Sequence, residues 1–310
     1  GFQDISFNEA HFARQVAEFL GTEHHEKILE AKDCLEIIPK VASLIDEPIG
    51  DQSIIPTYLL SQVTRENVTV ALGGDGGDEL FCGYDPFIAH KIALVYEKMP
   101  RFIRNNIIKT AVNLLPTKFR NFSFDFRATI SVNNFHENRS YRDIYWMGSF
   151  RRDEREQLFN ANIWNGLKID NDLEDIDSYL KDMEGKSYFN QLILLYLRMY
   201  LMDDIMVKVD RASMFNSLEV RSPLLDYNIV DFTNSLPLRY KLHGFETKYI
   251  LKKLMADKLP KTIVTRKKKG FGMPTARWFT NELKPLVTDF LSEANIKKQG
   301  LFNYPYINNI

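Results

Sequence analysis

Apolar residues in the first part of the chain recur at the spacing of a helix. The first amphipathic helix is predicted over residues 7–20, where the apolar positions are Phe7, Phe12, Val16, Phe19 and Leu20. Similar spacing predicts helices over 35–45 and 57–66, the former ending before Pro48 because a residue that precedes proline disfavours helix. Residues 68–72 are then mostly branched or small and apolar, which predicts a buried strand.

The remainder of the chain is predicted to be mainly helical. Residues 86–115 and 188–207 are apolar at helical spacing, and the acidic tract 170–177 favours a solvated linker or surface turn. Helix, strand, glycine loop and helix in this order are typical of an open α/β sheet. We therefore assign residues 1–85 to an α/β part and residues 86–310 to a helical remainder of the same domain.

The glycine loop between the strand and the next helix is the strongest candidate for a catalytic or binding site. Residues 73–78 read GGDGGD, and an apolar run that opens at Glu79 predicts a helix. Backbone N–H groups at such a helix start can hold a polyphosphate. Asp75 and Asp78 would repel that anion unless Mg²⁺ or a role as base intervenes. The alternative is a glycine-rich turn with two solvated acids.

Composition narrows the class of protein. The net charge of the 310 residues is −1, which predicts no binding of nucleic acid or of an anionic membrane surface. No apolar run reaches the length of a membrane span. Two cysteines, Cys34 and Cys82, suggest reduced thiols and a cytoplasmic location. The adjacent His24 and His25 should point apart, so we expect no zinc site there.

Five blocks of the sequence resemble one known family. Residues 68–84 (VTVALGGDGGDELFCGY) resemble the SGDGGDE-to-GGY signature of the ATP-dependent synthetase domain of glutamine-hydrolysing asparagine synthetases. The family's order is kept by residues 18–26 (EFLGTEHHE), 46–59 (DEPIGDQSIIPTYL), 203–226 (DDIMVKVDRASMFNSLEVRSPLLD) and 266–274 (RKKKGFGMP). The resemblance implies an open parallel sheet of the PP-loop ATP pyrophosphatase (adenine nucleotide alpha-hydrolase-like) type, truncated at its N-terminus and followed by a mostly helical region.

The resemblance also implies a reaction and its cofactors. ATP with Mg²⁺ would adenylate the side-chain carboxylate of aspartate and release pyrophosphate, and ammonia would then form asparagine and AMP. By their matching positions, Gly73 and Gly74 would approach the nucleotide, and Asp78 would help to hold Mg²⁺. Asp75 would act as base toward the amine, at a position where many asparagine synthetases carry glutamate. Glu79 beside it would support the site or cap the helix.

Three basic residues complete the site that the resemblance implies. Lys268 matches the lysine of an R-x-K loop that contacts pyrophosphate, while Lys208 and Arg221 match the block that closes the substrate site. Each residue type also has an ordinary structural explanation. Asp78 suits a helix N-cap, Lys268 lies in a basic run that is typical of a solvated turn, and Arg221 could form a buried ion pair with Glu219 or Asp226.

The chain begins at Gly1, so we expect a fragment whose glutaminase half and SGGxDS loop lie upstream. The expected partners are aspartate and ammonia from that glutaminase domain, with a homodimer as a further option. The fragment alone is predicted to lack synthetase activity and to expose a sheet edge. Alternatives are a related amidotransferase of surface-polysaccharide biosynthesis, a β-lactam synthetase or a peptide cyclase that activates another carboxylate, and a protein that uses the fold only for binding.

Overall fold

The computed structural model describes residues 1–4, 6–115, 124–136, 138–148, 150–167, 173–266, 268, 270 and 272–310, with backbone alone at 124–127 and 276. These residues form two compact units. The first contains Gly1–Pro100 and Gly185–Pro274, and the second contains the described residues of 101–184 together with Thr275–Ile310. The division at residue 85, between an α/β part and a helical remainder of one domain, stays a prediction.

The elements up to residue 181 are mainly short helices. In chain order they are α1 (Ala10–Leu20), α2 (Ala31–Leu44), α3 (Ile54–Arg65), strand β1 (Val70–Leu72), α4 (Gly77–Leu80), α5 (Asp85–Tyr96), a π-helix (Ile103–Ile108), α6 (Lys109–Asn113), α7 (Phe124–Asn133), a 3₁₀ turn (Arg139–Tyr141), α8 (Arg142–Met147), α9 (Arg152–Leu158), α10 (Ala161–Gly166) and α11 (Glu174–Lys181).

The elements after residue 187 begin with a long continuous helical run. They are α12 (Tyr188–Leu195), a π-helix (Tyr196–Met206), α13 (Val207–Met214), strand β2 (Glu219–Arg221), a 3₁₀ turn (Pro223–Leu225), α14 (Tyr227–Ser235), α15 (Leu238–Lys241), α16 (Tyr249–Met255), α17 (Lys261–Val264), α18 (Thr275–Thr280), α19 (Lys284–Phe290), α20 (Glu293–Gln299) and α21 (Tyr304–Ile307). Every helix in the described part of the chain is too short or too polar to cross a membrane.

The first unit is an α/β arrangement with a small parallel sheet. Strands β1 and β2 pair in register from Val70 with Glu219 to Leu72 with Arg221, and α13 packs along α3 beside them. A parallel pair of strands needs a long crossover, and 146 residues separate the end of β1 from the start of β2 in this chain. The α/β class and the mostly helical remainder are therefore confirmed.

The environment of the predicted strand differs from the expectation. The strand covers Val70–Leu72, and the apolar side chains of Val68, Val70 and Leu72 are exposed at 43%, 39% and 74%. A strand is buried when neighbours cover both its edges and both its faces. The described residues supply β1 with a second strand on one edge, so the prediction of a buried strand was wrong for this part of the chain.

Two other local predictions need correction. The helix expected to open at Glu79 begins at Gly77 and ends after a single turn, because the backbone turns to a positive φ of 53° at Cys82. A new helix, α5, then starts at Asp85 with a proline in its first turn. Of the acidic tract 170–177, residues 170–172 lie outside the described residues, and Glu174–Lys181 is a helix, α11. The prediction of a solvated turn was wrong for this part, because Ile176 is buried and acidic side chains favour a helix N-terminus.

The core of the first unit lies beneath the glycine loop. A cluster of buried side chains joins the loop after α4 to α5, α12 and α15, and it consists of Cys82, Phe87, Phe189, Leu192, Ile193, Tyr196 and Leu242. Both cysteines are free thiols, and burial raises the pKa of Cys34 to about 11 and that of Cys82 to about 12. Cys82 thus packs as an apolar residue, and the cluster supports the loop that carries the candidate site.

Candidate active site

The glycine loop leaves the carboxyl end of β1 and turns sharply into α4. The N–H of Gly73 donates to the carbonyl of Arg221 at 2.7 Å, which extends the parallel pairing by one residue. Gly76 has a φ of 86°, a left-handed conformation that favours glycine, and a Cβ there would overlap Leu225. A Cβ on Gly74 would meet nothing within 4 Å, so the protein's own packing does not require glycine at that position.

Asp78 lies between two lysines that come from distant parts of the chain. Its Oδ1 is 2.8 Å from Nζ of Lys248, and its Oδ2 is 2.7 Å from Nζ of Lys268. Burial opposes ionisation of Asp78, but the charges and hydrogen bonds of Lys268 and Lys248 outweigh it and hold the pKa of this carboxyl below its usual range. Asp78 is therefore a largely buried anion with a cation at each of its oxygens.

Local backbone geometry places Lys248 at this carboxylate. Lys248 precedes α16 with a positive φ of 53°, and its N–H donates to the carbonyl of Phe81 at 3.1 Å. Positive φ is uncommon for a residue other than glycine and is maintained only by surrounding contacts. A Cβ on Gly83 would overlap Oδ1 of Asp78 and Cε of Lys248, so the absent side chain at Gly83 makes room for the ion pair.

The segment that carries Lys268 is attached to α1. Nη1 of Arg266 lies 2.6 Å from Oε1 of Glu9, and its guanidinium sits 5.0 Å from the centroid of the Phe12 ring. Two residues further on, the ammonium of Lys268 reaches Asp78 and also lies 5.6 Å from the centroid of the Tyr84 ring. The basic segment is thus tied to the fold on either side of position 267.

Glu79 and Tyr84 form a buried pair next to Asp78. The Tyr84 hydroxyl donates to Oε1 of Glu79 at 2.5 Å, and Glu79 is only 2% exposed. Burial raises the pKa of Glu79, with a smaller contribution from the charges of Asp78 and Asp75. Burial and the neighbouring Glu79 also raise the pKa of Tyr84. Both groups therefore favour their protonated forms more than usual.

Asp75 projects from the loop toward β2. Its Oδ2 accepts a hydrogen bond from the hydroxyl of Ser222 at 3.2 Å, and it lies so close to Gly73 that a Cβ there would be 2.7 Å from this oxygen. Ser222 follows Arg221 directly and starts the turn that leads into α14. Asp75 is thus held at the mouth of the loop by a weak hydrogen bond from Ser222.

Lys208 and Arg221 make contacts of their own. Nζ of Lys208, which is buried on α13, lies 2.6 Å from Oδ2 of Asp51. Nε of Arg221 lies 2.7 Å from Oε1 of Glu219, and both side chains are more than half exposed. The sequence alternative of an ion pair between Arg221 and Glu219 is thus present, but it is exposed and not buried.

The acidic segment around Asp51 is held against α13. Arg211 lies one turn after Lys208 and pairs with Asp46 at 2.9 Å and with Glu47 at 3.0 Å. Two basic side chains of α13 therefore fix three acids of residues 46–51. These contacts bring the two sequence blocks that contain Asp46 and Lys208 together in one part of the first unit.

Sequence reasoning placed Lys268 and Asp78 in one site but missed Lys248 and the contact of Tyr84. Tyr84 is the last residue of the segment 68–84 that resembles the family's GGY-ended signature, and that motif could have singled it out. Lys248 follows the polar turn of residues 243–247, and no motif or periodicity singles it out. Its role becomes visible only in the positive φ and the ion pair with Asp78.

The described residues contain no group of three or more His, Cys, Asp or Glu side chains placed to hold a metal ion. His24 and His25 contact Glu26 and Glu23, at 3.4 and 3.1 Å.

Comparison with known proteins places this arrangement in a family. The family model described as asparagine synthase matches residues 1–310, the whole chain. The chain belongs to the asparagine synthase family. This membership confirms the family resemblance, and the domain of this family is of the PP-loop ATP pyrophosphatase type.

Individual relatives agree with the family match. The chain is 28% identical over 298 residues to asparagine synthetase (glutamine-hydrolysing) 1 of Bacillus subtilis. The aligned region covers 95% of the chain and 45% of that relative. A Mycobacterium tuberculosis protein whose name carries the same activity is 28% identical over 279 residues, 90% of the chain and 41% of the relative. An amidase of Gibberella zeae is 20% identical over 311 residues, 96% of the chain and 46% of the relative. The chain thus spans less than half the length of each of these relatives.

Proposed function

We propose that this chain provides the ATP-dependent synthetase site of a glutamine-hydrolysing asparagine synthetase. The proposed reaction converts aspartate, ATP and ammonia into asparagine, AMP and pyrophosphate. The ammonia would come from a glutaminase domain of the same protein. The names of the relatives support the carbon–nitrogen ligase activity, and the buried site around Asp78 supports the handling of a polyphosphate.

The observation that carries the proposal is the convergence of Lys248 and Lys268 on the glycine loop. Two ammonium groups face the two oxygens of one largely buried carboxylate, beside the loop N–H groups that begin α4. Pyrophosphate is a polyanion, and its departure from ATP leaves negative charge that nearby cations stabilise. Lys248 and Lys268 would supply those cations, and the bare backbone at Gly73 and Gly74 would let the nucleotide approach.

Mg²⁺ fits the residues that are present. This ion is commonly bound through one or two carboxylates together with phosphate oxygens and water. Asp78 offers one carboxylate whose pKa is held low and which is therefore ionised at neutral pH. We infer that Asp78 holds the ion together with the phosphates of ATP, while Lys248 and Lys268 turn to the phosphates. Bound there, Mg²⁺ would neutralise charge on the leaving pyrophosphate.

The atoms of the proposed reaction balance in two steps. An oxygen of the aspartate side-chain carboxylate attacks the α-phosphorus of ATP, and the bond from that phosphorus to the pyrophosphate oxygen breaks. Ammonia then attacks the acyl carbon, AMP leaves with the oxygen that joined them, and Asp75 takes a proton from the attacking nitrogen. The hydrogen bond from Ser222 keeps the Asp75 carboxylate in position at the mouth of the loop.

Arg221 and Lys208 are proposed to bind the amino-acid substrate. Arg221 is exposed beside the glycine loop and can exchange its pairing with Glu219 for a substrate carboxylate. Lys208 would act through Asp51, whose pKa is held low by Lys208 and by bonds from Ser53 despite burial. An open parallel sheet larger than the two described strands remains part of the proposal.

An assay of the whole gene product with ATP, Mg²⁺, aspartate and ammonia tests this function. We expect aspartate-dependent release of pyrophosphate with equal amounts of AMP and asparagine. Lys268→Ala should abolish the release, whereas Lys253→Ala, which changes an exposed lysine on α16, should leave it unchanged. Formation of ADP and phosphate would contradict the proposal. Pyrophosphate release that does not depend on aspartate would favour a related amidotransferase that acts on another carboxylate.

A further inference from the structure

The aromatic ring of Tyr84 lies beneath the ammonium group of Lys268. The nitrogen is 5.6 Å from the ring centroid, within the distance at which a cation and an aromatic face attract each other. The same nitrogen is 2.7 Å from Oδ2 of Asp78. Lys268 is therefore held by two different groups, one of them charged and the other not.

The Tyr84 ring is fixed from several directions. Its hydroxyl donates to the buried Glu79, its ring stacks on Tyr196 at 5.4 Å, and it makes a T-shaped contact with Tyr200 at 5.5 Å. Tyr196 and Tyr200 belong to the π-helix Tyr196–Met206, and Tyr196 is 2% exposed. Because these contacts fix one face of the ring and its hydroxyl, the rest of the ring is a rigid surface against which the Lys268 ammonium can pack.

We propose that Tyr84 is a positioning residue that keeps the ammonium of Lys268 in the phosphate site when Asp78 turns to another cation. This inference rests on the proposed function, in which Asp78 helps to bind Mg²⁺. An ion on Asp78 weakens the ion pair between Asp78 and Lys268, because the carboxylate's charge is then shared. The contact with the Tyr84 ring does not depend on that charge, so Lys268 remains beside the departing pyrophosphate.

The hydrogen bond to Glu79 gives this arrangement its rigidity. Glu79 follows Asp78 in α4, so the residue that orients the ring and the residue that pairs with Lys268 share one helical turn. Loss of the hydroxyl leaves the ring and its stacking partners in place, whereas loss of the ring removes the support itself. Tyr84→Phe and Tyr84→Leu therefore separate the two contributions.

Lysine NMR of this chain tests the proposal without any assay of turnover. The protein is labelled with ¹³C at the ε-carbon of lysine, and the Lys268 signal is identified by its loss in Lys268→Arg. A CH₂ group above an aromatic ring resonates upfield of an exposed lysine. We expect that upfield shift in the wild type and in Tyr84→Phe, and its loss in Tyr84→Leu. A wild-type Lys268 signal at the position of exposed lysines would overturn the proposal.

The affinity of the whole gene product for magnesium pyrophosphate, measured by titration, supplies the second test. Tyr84→Leu should bind it about two- to fivefold more weakly than the wild type, the range expected for loss of a cation–π contact. The matched control is Tyr188→Leu, which shortens another tyrosine that packs on the same core cluster and should bind within about twofold of the wild type. Equal affinity in Tyr84→Leu and wild type would overturn the positioning role. A wild-type whole gene product that does not bind magnesium pyrophosphate would instead overturn the proposed function.

Discussion

Nζ of Lys268 lies 2.7 Å from Oδ2 of Asp78, although 190 positions separate the two residues in the chain. Lys248 approaches the other oxygen of the same carboxylate at 2.8 Å. A carboxylate that is largely buried is stable as an anion only when such partners compensate for its lost hydration. Asp78 therefore holds two cations at the glycine loop, and an ammonium group suits a phosphate ligand.

Removal of the Lys248 ammonium should weaken phosphate binding. Lys248→Met keeps most of the side chain's volume but removes one of the two cations that face Asp78. We expect the affinity of the whole gene product for magnesium pyrophosphate to fall about ten- to a hundredfold, the range for loss of a charged hydrogen bond. Isothermal titration at fixed ionic strength measures the change. Lys253→Met on the same helix is the control, and equal losses in both variants would contradict a specific role for Lys248.

Asp75 should be needed for amide formation but not for activation of the carboxylate. Asp75→Asn removes the base while keeping an oxygen that can accept from Ser222. In the whole gene product, asparagine formation should fall by about a hundredfold or more, the range for loss of a general base. Exchange of labelled pyrophosphate into ATP, which reports adenylation alone, should persist. Asp182→Asn, at an exposed aspartate of the second unit, should change neither rate, and loss of both rates in Asp75→Asn would contradict the assigned role.

Two glycines of the site should respond differently to the same substitution. A Cβ at Gly83 would overlap Asp78 and Lys248, so Gly83→Ala should lower the free energy of unfolding by about 1–3 kcal/mol. Gly74→Ala should change it by less than about 0.5 kcal/mol, because its Cβ would meet nothing within 4 Å.

Gly74→Ala should have little effect on stability but a clear effect on the affinity for ATP. If the nucleotide approaches the backbone there, Gly74→Ala should weaken ATP binding about five- to a hundredfold through overlap with the ligand. Urea denaturation gives the stabilities, and titration with ATP gives the affinities. Unchanged ATP affinity in a folded Gly74→Ala protein would place the nucleotide elsewhere.

Glu79 should make the protein less stable as the pH rises. Burial raises the pKa of Glu79 in the folded state, so the unfolded chain loses this proton first. Its contribution is therefore constant below the usual pKa near 4.5 and becomes unfavourable as the pH rises through the higher folded value. Glu79→Gln keeps an acceptor for Tyr84 and removes the charge.

The stability of Glu79→Gln should therefore exceed that of the wild type at pH 7, and the difference should shrink toward pH 4. Urea denaturation at a series of pH values measures the free energy of unfolding of both proteins. Glu66→Gln, which changes an exposed glutamate after α3, is the control. A difference that grows as the pH falls would show that burial does not govern Glu79.

Local sequence signals predicted where the helices and strands lie better than they predicted which residues surround them. The periodicity of residues 7–20 located α1 to within three residues, because an amphipathic face is a local property. The exposure of Leu72 could not be read in the same way, since burial of a strand depends on which other segments cover it. The single-turn helix α4 also escaped prediction, because its end depends on the unusual backbone at Cys82.

The candidate site was predictable where a motif carried it. Asp75, Asp78 and Lys268 came from blocks that resemble the family, and the structure brings Lys268 onto Asp78. Lys248 and the ring of Tyr84 act through tertiary contacts that no spacing in the chain encodes. The assigned roles of all these residues stay predictions until variants are measured.

Transfer of labelled oxygen from aspartate tests the central claim most directly. The whole gene product is supplied with ATP, Mg²⁺, ammonia and aspartate whose side-chain carboxylate carries ¹⁸O at both oxygens, and the AMP and inorganic phosphate are examined by mass spectrometry. If the Asp78 site supports attack of that carboxylate on the α-phosphorus, one ¹⁸O atom appears in AMP for each asparagine formed. Label in inorganic phosphate, or asparagine formed with unlabelled AMP, would contradict the account.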